Sequence, residues 1–125
     1  MKTELNNIGT WGRLHYDFLY RNQRSVINAM RLKGTLHDYL MGIDKDAEDM
    51  FNLIVKQTAE IEGVTEQLKA ADQMEWIRRM NSIRSRAREF VLKELIYQSY
   101  PKGRGTNHPS PLYLFRYSFY NGHTN

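Results

Sequence analysis

Cysteine is absent from the 125 residues, which excludes disulfides and thiolate chemistry. No apolar run approaches the roughly 18 to 20 residues needed to span a bilayer. The opening "MKTELNNIGTWGR" has no signal-peptide apolar core, so a cytoplasmic protein is expected. Prolines are scarce, and all three fall after Gln98. Acidic residues run out at Glu94, while Lys102, Arg104 and Arg116 follow. Residues 1–94 hold 15 basic and 14 acidic groups, so much of the net +4 charge lies in the tail. That balance, with a pI near 9.4, favours an acidic partner without demanding one. What remains is 41% hydrophobic and 26% charged, a globular domain with a modest core.

The periodicity is helical. "TWGRLHYDFLYRNQRSVINAMRLKG" puts Trp11, Leu14 and Phe18 on one face, then Val26, Ile27 and Met30. Thr10 is the expected N-cap and Gly34 the expected stop, with a break between Asn22 and Ser25. Thr35 and Asp38 then form a capping pair. Leu36, Leu40, Ile43, Ala47, Met50 and Ile54 follow at steps of 4, 3, 4, 3 and 4, with Ile61 in phase, up to Gly63. Thr65 caps a short helix. Asp72 and Glu75 open a second long one, with Trp76, Met80, Ile83, Ala87, Phe90 and Val91 as its apolar face to about Tyr97. The expected fold is all-α: a three- to four-helix bundle with two long antiparallel helices over residues 1–97.

Residues 98–125 read differently, as a Pro/Gly/aromatic-rich extension. "LYLFRYSFY" places Tyr113, Phe115, Tyr117 and Phe119 on one side of an extended arm. Such an arm packs on the body, pairs with a second copy to make a homodimer or with an edge strand of a partner, or stays mobile. With Lys102 and Arg104 it also offers a stacking surface for bases.

The chemistry-bearing stretch is "DQMEWIRRMNSIRSRAREF", with five arginines in eleven positions. Arg79, Arg86 and Lys93 fall along one edge of the helix; Arg84 and Arg88 fall along the other. Two readings stand side by side. The arginines flank the core and pair with acids of the preceding helix, or they grip phosphates through their planar forks. Asn81 and Ser85 are the neighbouring polar groups able to assist.

Catalysis has little to stand on. His15, His37, His108 and His123 are widely spaced, and His15 and His37 read as surface or half-buried helix residues. Asp44, Asp46, Glu48 and Asp49 lack a calcium-loop glycine, and "PKGRGTNH" lacks the helix a phosphate loop needs. Neither an enzyme nor a cofactor or metal is expected.

"IVKQTAEIEGVTEQLKAADQMEWIRRMNSIRSRAREFVLKELIY", with "WGRLHYDFL" and "LHDYLMGIDKDAEDMF" upstream, closely resembles the transposon-encoded protein TnpV family, over about residues 8–97. The family occurs on mobilisable and conjugative elements of gut and related bacteria, and has been likened to excisionases. The resemblance implies a mobile-element accessory protein beside a site-specific recombinase. In that role Arg78, Arg79, Arg84, Arg86, Arg88 and Lys93 meet DNA phosphates, with Asn81 and Ser85 as secondary contacts. The alternative is an inhibitor of a host defence nuclease, of anti-CRISPR type, with Asp44, Asp46, Glu48 and Asp49 imitating nucleic acid. A structural helical homodimer is the third reading.

Overall fold

The computed structural model describes residues 5–100. The described residues form five α-helices and no strand: α1 (Thr10–Asn22), α2 (Arg24–Lys33), α3 (Leu36–Ile61), α4 (Glu66–Ala71) and α5 (Gln73–Val91). A π-helical turn, Leu92–Ile96, continues the chain after α5. The fold is all-α as expected, and the break, at Gln23, and the short helix, residues 66–71, bring the α-helices among the described residues to five rather than three or four. None of the helices in the described residues is long and apolar enough to cross a membrane. Lys102, Arg104, Tyr113, Phe115, Tyr117 and Phe119 lie outside the described residues.

Two compact units are present, each with its own packing. In the first, residues 5–49 and 91–100, Ile8, Leu19, Ile27, Met30, Leu36 and Leu40 form the buried cluster. Gly34 ends α2 in the left-handed region at φ 73°, as a residue without Cβ does freely. The Gly34 and Thr35 amides return to Arg31 and Met30 carbonyls and close the helix end. Residue 10 is not the cap of α1: Gly9 holds that position and Thr10 is already helical. The capping acceptor comes from α3, where Asp44 Oδ1 takes the Gly12 amide at 2.9 Å. A carboxylate there also meets the positive end of the helix. Its approach needs glycine, since a Cβ on Gly9 would stand 2.8 Å from both Asp44 oxygens, and one on Gly12 3.0 Å from the Leu40 carbonyl.

His15 is buried at 1% exposure, which corrects the surface or half-buried expectation. Its Nδ1 lies 2.7 Å from the Ile96 carbonyl and its Nε2 2.7 Å from the Tyr39 hydroxyl. A carbonyl only accepts, so Nδ1 carries the proton and Nε2 accepts from Tyr39. The π-turn supplies that carbonyl, because the Tyr97 amide bonds to Leu92 five residues back. Burial lowers the His15 pKa, with the Ile96 hydrogen bond opposing it. Burial, then the neighbouring Tyr100, raises that of Tyr39. Gln23, at the α1–α2 break, grips the Tyr100 backbone with two bonds of 2.7 Å each, one to the amide and one to the carbonyl.

In the second unit, residues 50–90, Val64, Met80 and Ile83 form the cluster, with Val55, Ala59, Leu68 and Trp76 against it. Thr65 caps α4 as expected, its hydroxyl accepting from the Leu68 amide at 3.2 Å. Asp72 accepts the Glu75 amide at 3.1 Å and so opens α5. Ile61 was expected on the buried seam but is 45% exposed. A straight helix turns 3.6 residues per turn, so the buried stripe drifts off a strict heptad. It passes through Ile54 to Thr58, which is 2% exposed.

Two outcomes follow from these interiors. The Thr58 hydroxyl is buried with no hydrogen-bond partner among the described residues. Thr58→Val keeps the shape and removes that group, so it should raise stability by about 1 kcal/mol; a lower melting temperature would show that the hydroxyl is satisfied after all. For His15, the unfolded chain binds a proton below the usual value of 6.5 while the folded chain resists it. Stability from this site is therefore full above that value and is lost as pH falls toward the lowered folded pKa. The melting temperature should fall between about pH 7 and 5, with a smaller slope in His15→Gln; equal slopes would remove His15 as the cause.

Candidate nucleic-acid interface

The arginines of α5 share its surface with two acids. Glu75, in the first turn, is paired with Arg78 and holds Arg79 Nε at 2.6 Å. Those spacings of three and four residues stack the groups on one side of a helix. Glu62, just past the end of α3, takes Arg86 through two parallel bonds of 2.8 and 3.0 Å. Those bonds raise the Arg86 pKa, partly offset by burial. Arg84 is exposed and has no partner among the described residues, whereas Arg88, also exposed, is engaged. Asn81 and Ser85 are exposed beside them. Lys93 is exposed too, but it stands in the π-turn of the first unit, away from the regular phase of α5.

Pairing with an acid from the preceding helix is present for Arg86 alone, whose Glu62 lies just past the end of α3; Arg78 and Arg79 pair instead with Glu75 of their own helix. Pairing does not bury them. The Arg78, Arg79 and Arg86 side chains keep 71%, 50% and 48% exposure. Exposed pairs are each worth about 0–1 kcal/mol, so a phosphate can compete for these guanidiniums. Chemically, the row is a set of exposed guanidiniums, three of them paired with neighbouring carboxylates.

The acidic stretch of α3 is only partly available to an outside partner. Asp44 caps α1, and Glu48 Oε1 accepts the Trp11 indole N–H at 3.0 Å. Asp49 is paired with Lys45 at 2.9 Å. Asp46 has its pKa raised, first by partial burial and then by Asp49, with Lys45 opposing. The sequence marked these four as one acidic patch; two of them instead fasten the start of α1. His37, half-buried, bonds the Asn6 carbonyl at 2.9 Å. Among the described residues, no group of three or more His, Cys, Asp or Glu is placed to hold a metal ion.

A hollow of about 600 Å³ in the first unit is lined chiefly by Val26, Met30, Tyr39 and Tyr100, with Lys33 and Asp38 beside them.

A second cationic surface escaped the sequence reading because it is not a run. No acid stands between Asp17 and Asp38, while Arg21, Arg24, Arg31 and Lys33 all do. Arg24 lies over the Tyr20 ring at 4.1 Å, and Tyr20 stacks on Tyr16 with centroids 6.0 Å apart. Spacing of four residues from 16 to 20 to 24 is the signal that was present.

A family model described as transposon-encoded protein TnpV matches residues 1–96. No curated protein and no solved structure matches the chain.

The Arg86–Glu62 pair gives a direct check on this pairing. Glu62→Gln should change stability by less than about 1 kcal/mol, since the pair is exposed. It should also raise the salt needed to elute the protein from a heparin column. A large loss of stability with unchanged elution would make the pair structural.

Proposed function

The chain belongs to the transposon-encoded protein TnpV family, and from that premise we propose that it serves its element as a nucleic-acid-associated accessory protein. It acts without catalysis, in the cytoplasm and beside a site-specific recombinase. The observation that carries this reading is the exposure of all five α5 arginines, of which Arg84 has no partner among the described residues. Guanidiniums in such a row give up weak surface pairs for phosphate oxygens, and each contact made releases counterions. The acid-poor tail sequence adds to the same charge balance.

The alternative role, inhibition of a defence nuclease by acidic mimicry, has less support. Asp44 and Glu48 are already bonded to α1, and Asp49 to Lys45. Only Asp46 of that set has no hydrogen-bond partner among the described residues.

Binding to a DNA duplex should weaken steeply with salt, and Arg84→Ala should reduce the log-log slope by about one. Failure of the protein to retain either duplex or single-stranded DNA at low salt would overturn the reading.

A further inference from the structure

The buried stripe of α5 fixes what the rest of that helix presents. Met80, Ile83 and Ala87 are buried, and Trp76 packs against the Val64, Met80 and Ile83 cluster. At about 3.6 residues per turn, Arg78, Asn81, Ser82 and Ser85 fall within about 60° of the line opposite that stripe. All four are exposed, and so is Met74, one turn before Arg78, at 72%. Arg79 and Arg86 stand roughly a quarter-turn to one side of this ridge, and Arg84 and Arg88 roughly a quarter-turn to the other. The first flank is held by acids, Arg79 by Glu75 and Arg86 by Glu62, in pairs that leave both arginines half exposed. Glu89, exposed one turn past Ser85, ends the ridge. The helix thus carries a ridge with short polar side chains at its centre and arginines on both flanks.

From this arrangement we infer that α5 enters the major groove of a DNA duplex. Asn81, Ser82 and Ser85 then face base edges, and the flanking arginines meet phosphates of the two strands. The dimensions agree: a helix with its side chains is about 10–12 Å across, and the B-form major groove is about 12 Å wide. A groove has a backbone on each side, as a helix with cations on both flanks requires. A flat acidic protein surface meets one side only and leaves the opposite flank in water. A single strand has one backbone and needs rings to stack its bases, whereas Trp76 and Phe90, the aromatic residues of α5, are partly buried. An RNA duplex has two backbones, but its major groove is deep, narrow and closed to side-chain readout. Short side chains along the ridge let the helix backbone sink toward the bases. Asn81 is of the type that reads adenine through two hydrogen bonds, and Met74 offers apolar contact to a thymine methyl. From residue 74 to 85 the ridge runs roughly 16 Å, about five base pairs. This inference rests on the nucleic-acid reading above and deepens it by naming the strand form and the groove.

The test uses the full chain and fluorescence anisotropy with three labelled probes of equal length: a DNA duplex, an RNA duplex of the same sequence, and oligo-dT. The DNA duplex should bind about tenfold or more tighter than the RNA duplex, whose charge is the same but whose major groove is closed. Ser85→Trp, neutral and at an exposed position, should block groove entry and weaken DNA-duplex binding about tenfold or more. It should leave RNA-duplex binding and the melting temperature unchanged. Selection from a randomised duplex pool should recover a base position at which Asn81→Ala relaxes the preference about fivefold or more, without altering the salt slope. Circular dichroism checks each variant. If Ser85→Trp fails to fold, Ser82→Gln and the DNA–RNA comparison, which needs no variant, still decide. DNA and RNA duplexes bound alike, with Ser85→Trp without effect and Arg84→Ala weakening both, would overturn groove entry and leave the nucleic-acid reading in place. Oligo-dT bound more tightly than either duplex would overturn it as well. Absence of binding to all three probes would remove both readings.

Discussion

A neutral imidazole inside the first unit joins three parts of the sequence that are far apart. His15 on α1 donates to Ile96 in the π-turn and accepts from Tyr39 on α3. Each partner fixes the next: the carbonyl sets the tautomer, the tautomer demands a donor at Nε2, and the tyrosine hydroxyl supplies one. A protonated ring cannot accept from Tyr39, so the arrangement holds only with the histidine uncharged. The aromatic groups around it follow from that placement, with Phe18 and Tyr39 beside the ring and Tyr100 edge-on to Tyr39. In that unit the helix packing, the π-turn and the start of the C-terminal stretch all depend on one proton being where it is.

The electrostatics are local bookkeeping between neighbours on the same surface rather than a single broad field. Glu75 on α5 and Glu62 past the end of α3 answer three α5 arginines, none of which is taken out of water. At Arg24, the start of α2, the answer to positive charge is the Tyr20 ring instead of an acid. These are different states of readiness. A guanidinium paired with a carboxylate must leave it to meet a phosphate, whereas one lying on tyrosine can meet a new ligand with its ring contact intact.

Local signals were legible in the sequence, and long-range ones were not. The stops at Gly34 and Gly63, the Thr65 cap and the Asp72 opening are read from four or five adjacent residues, and all are present. The Glu75 pairs could be read from spacing on one helix. His15, by contrast, looks like any helix histidine until residues 39 and 96 are brought to it. Thr10 looked like a cap because nothing near it shows that Asp44, 32 positions beyond Gly12, occupies that role. The strict heptad carried Ile61 into the core on paper, while the real helix turned Thr58 inward. Tyr16, Tyr20 and Arg24 lay at plain intervals of four, hidden because the cations nearby are scattered rather than consecutive.

The close approach of Asp44 to α1 couples positions that lie far apart in the chain. Glycine at 12 is required by the Leu40 carbonyl and by the body of Asp44, and glycine at 9 by the carboxylate itself. Thr10 between them is exposed and under no such constraint. Drift along a lineage would therefore be uneven within four residues: free at 10, restricted at 9 and 12. A change at 44 would release position 9 first, because only there are the nearest atoms all from the aspartate. Pairs of substitutions at 9 and 44 are the expected trace of this contact among relatives.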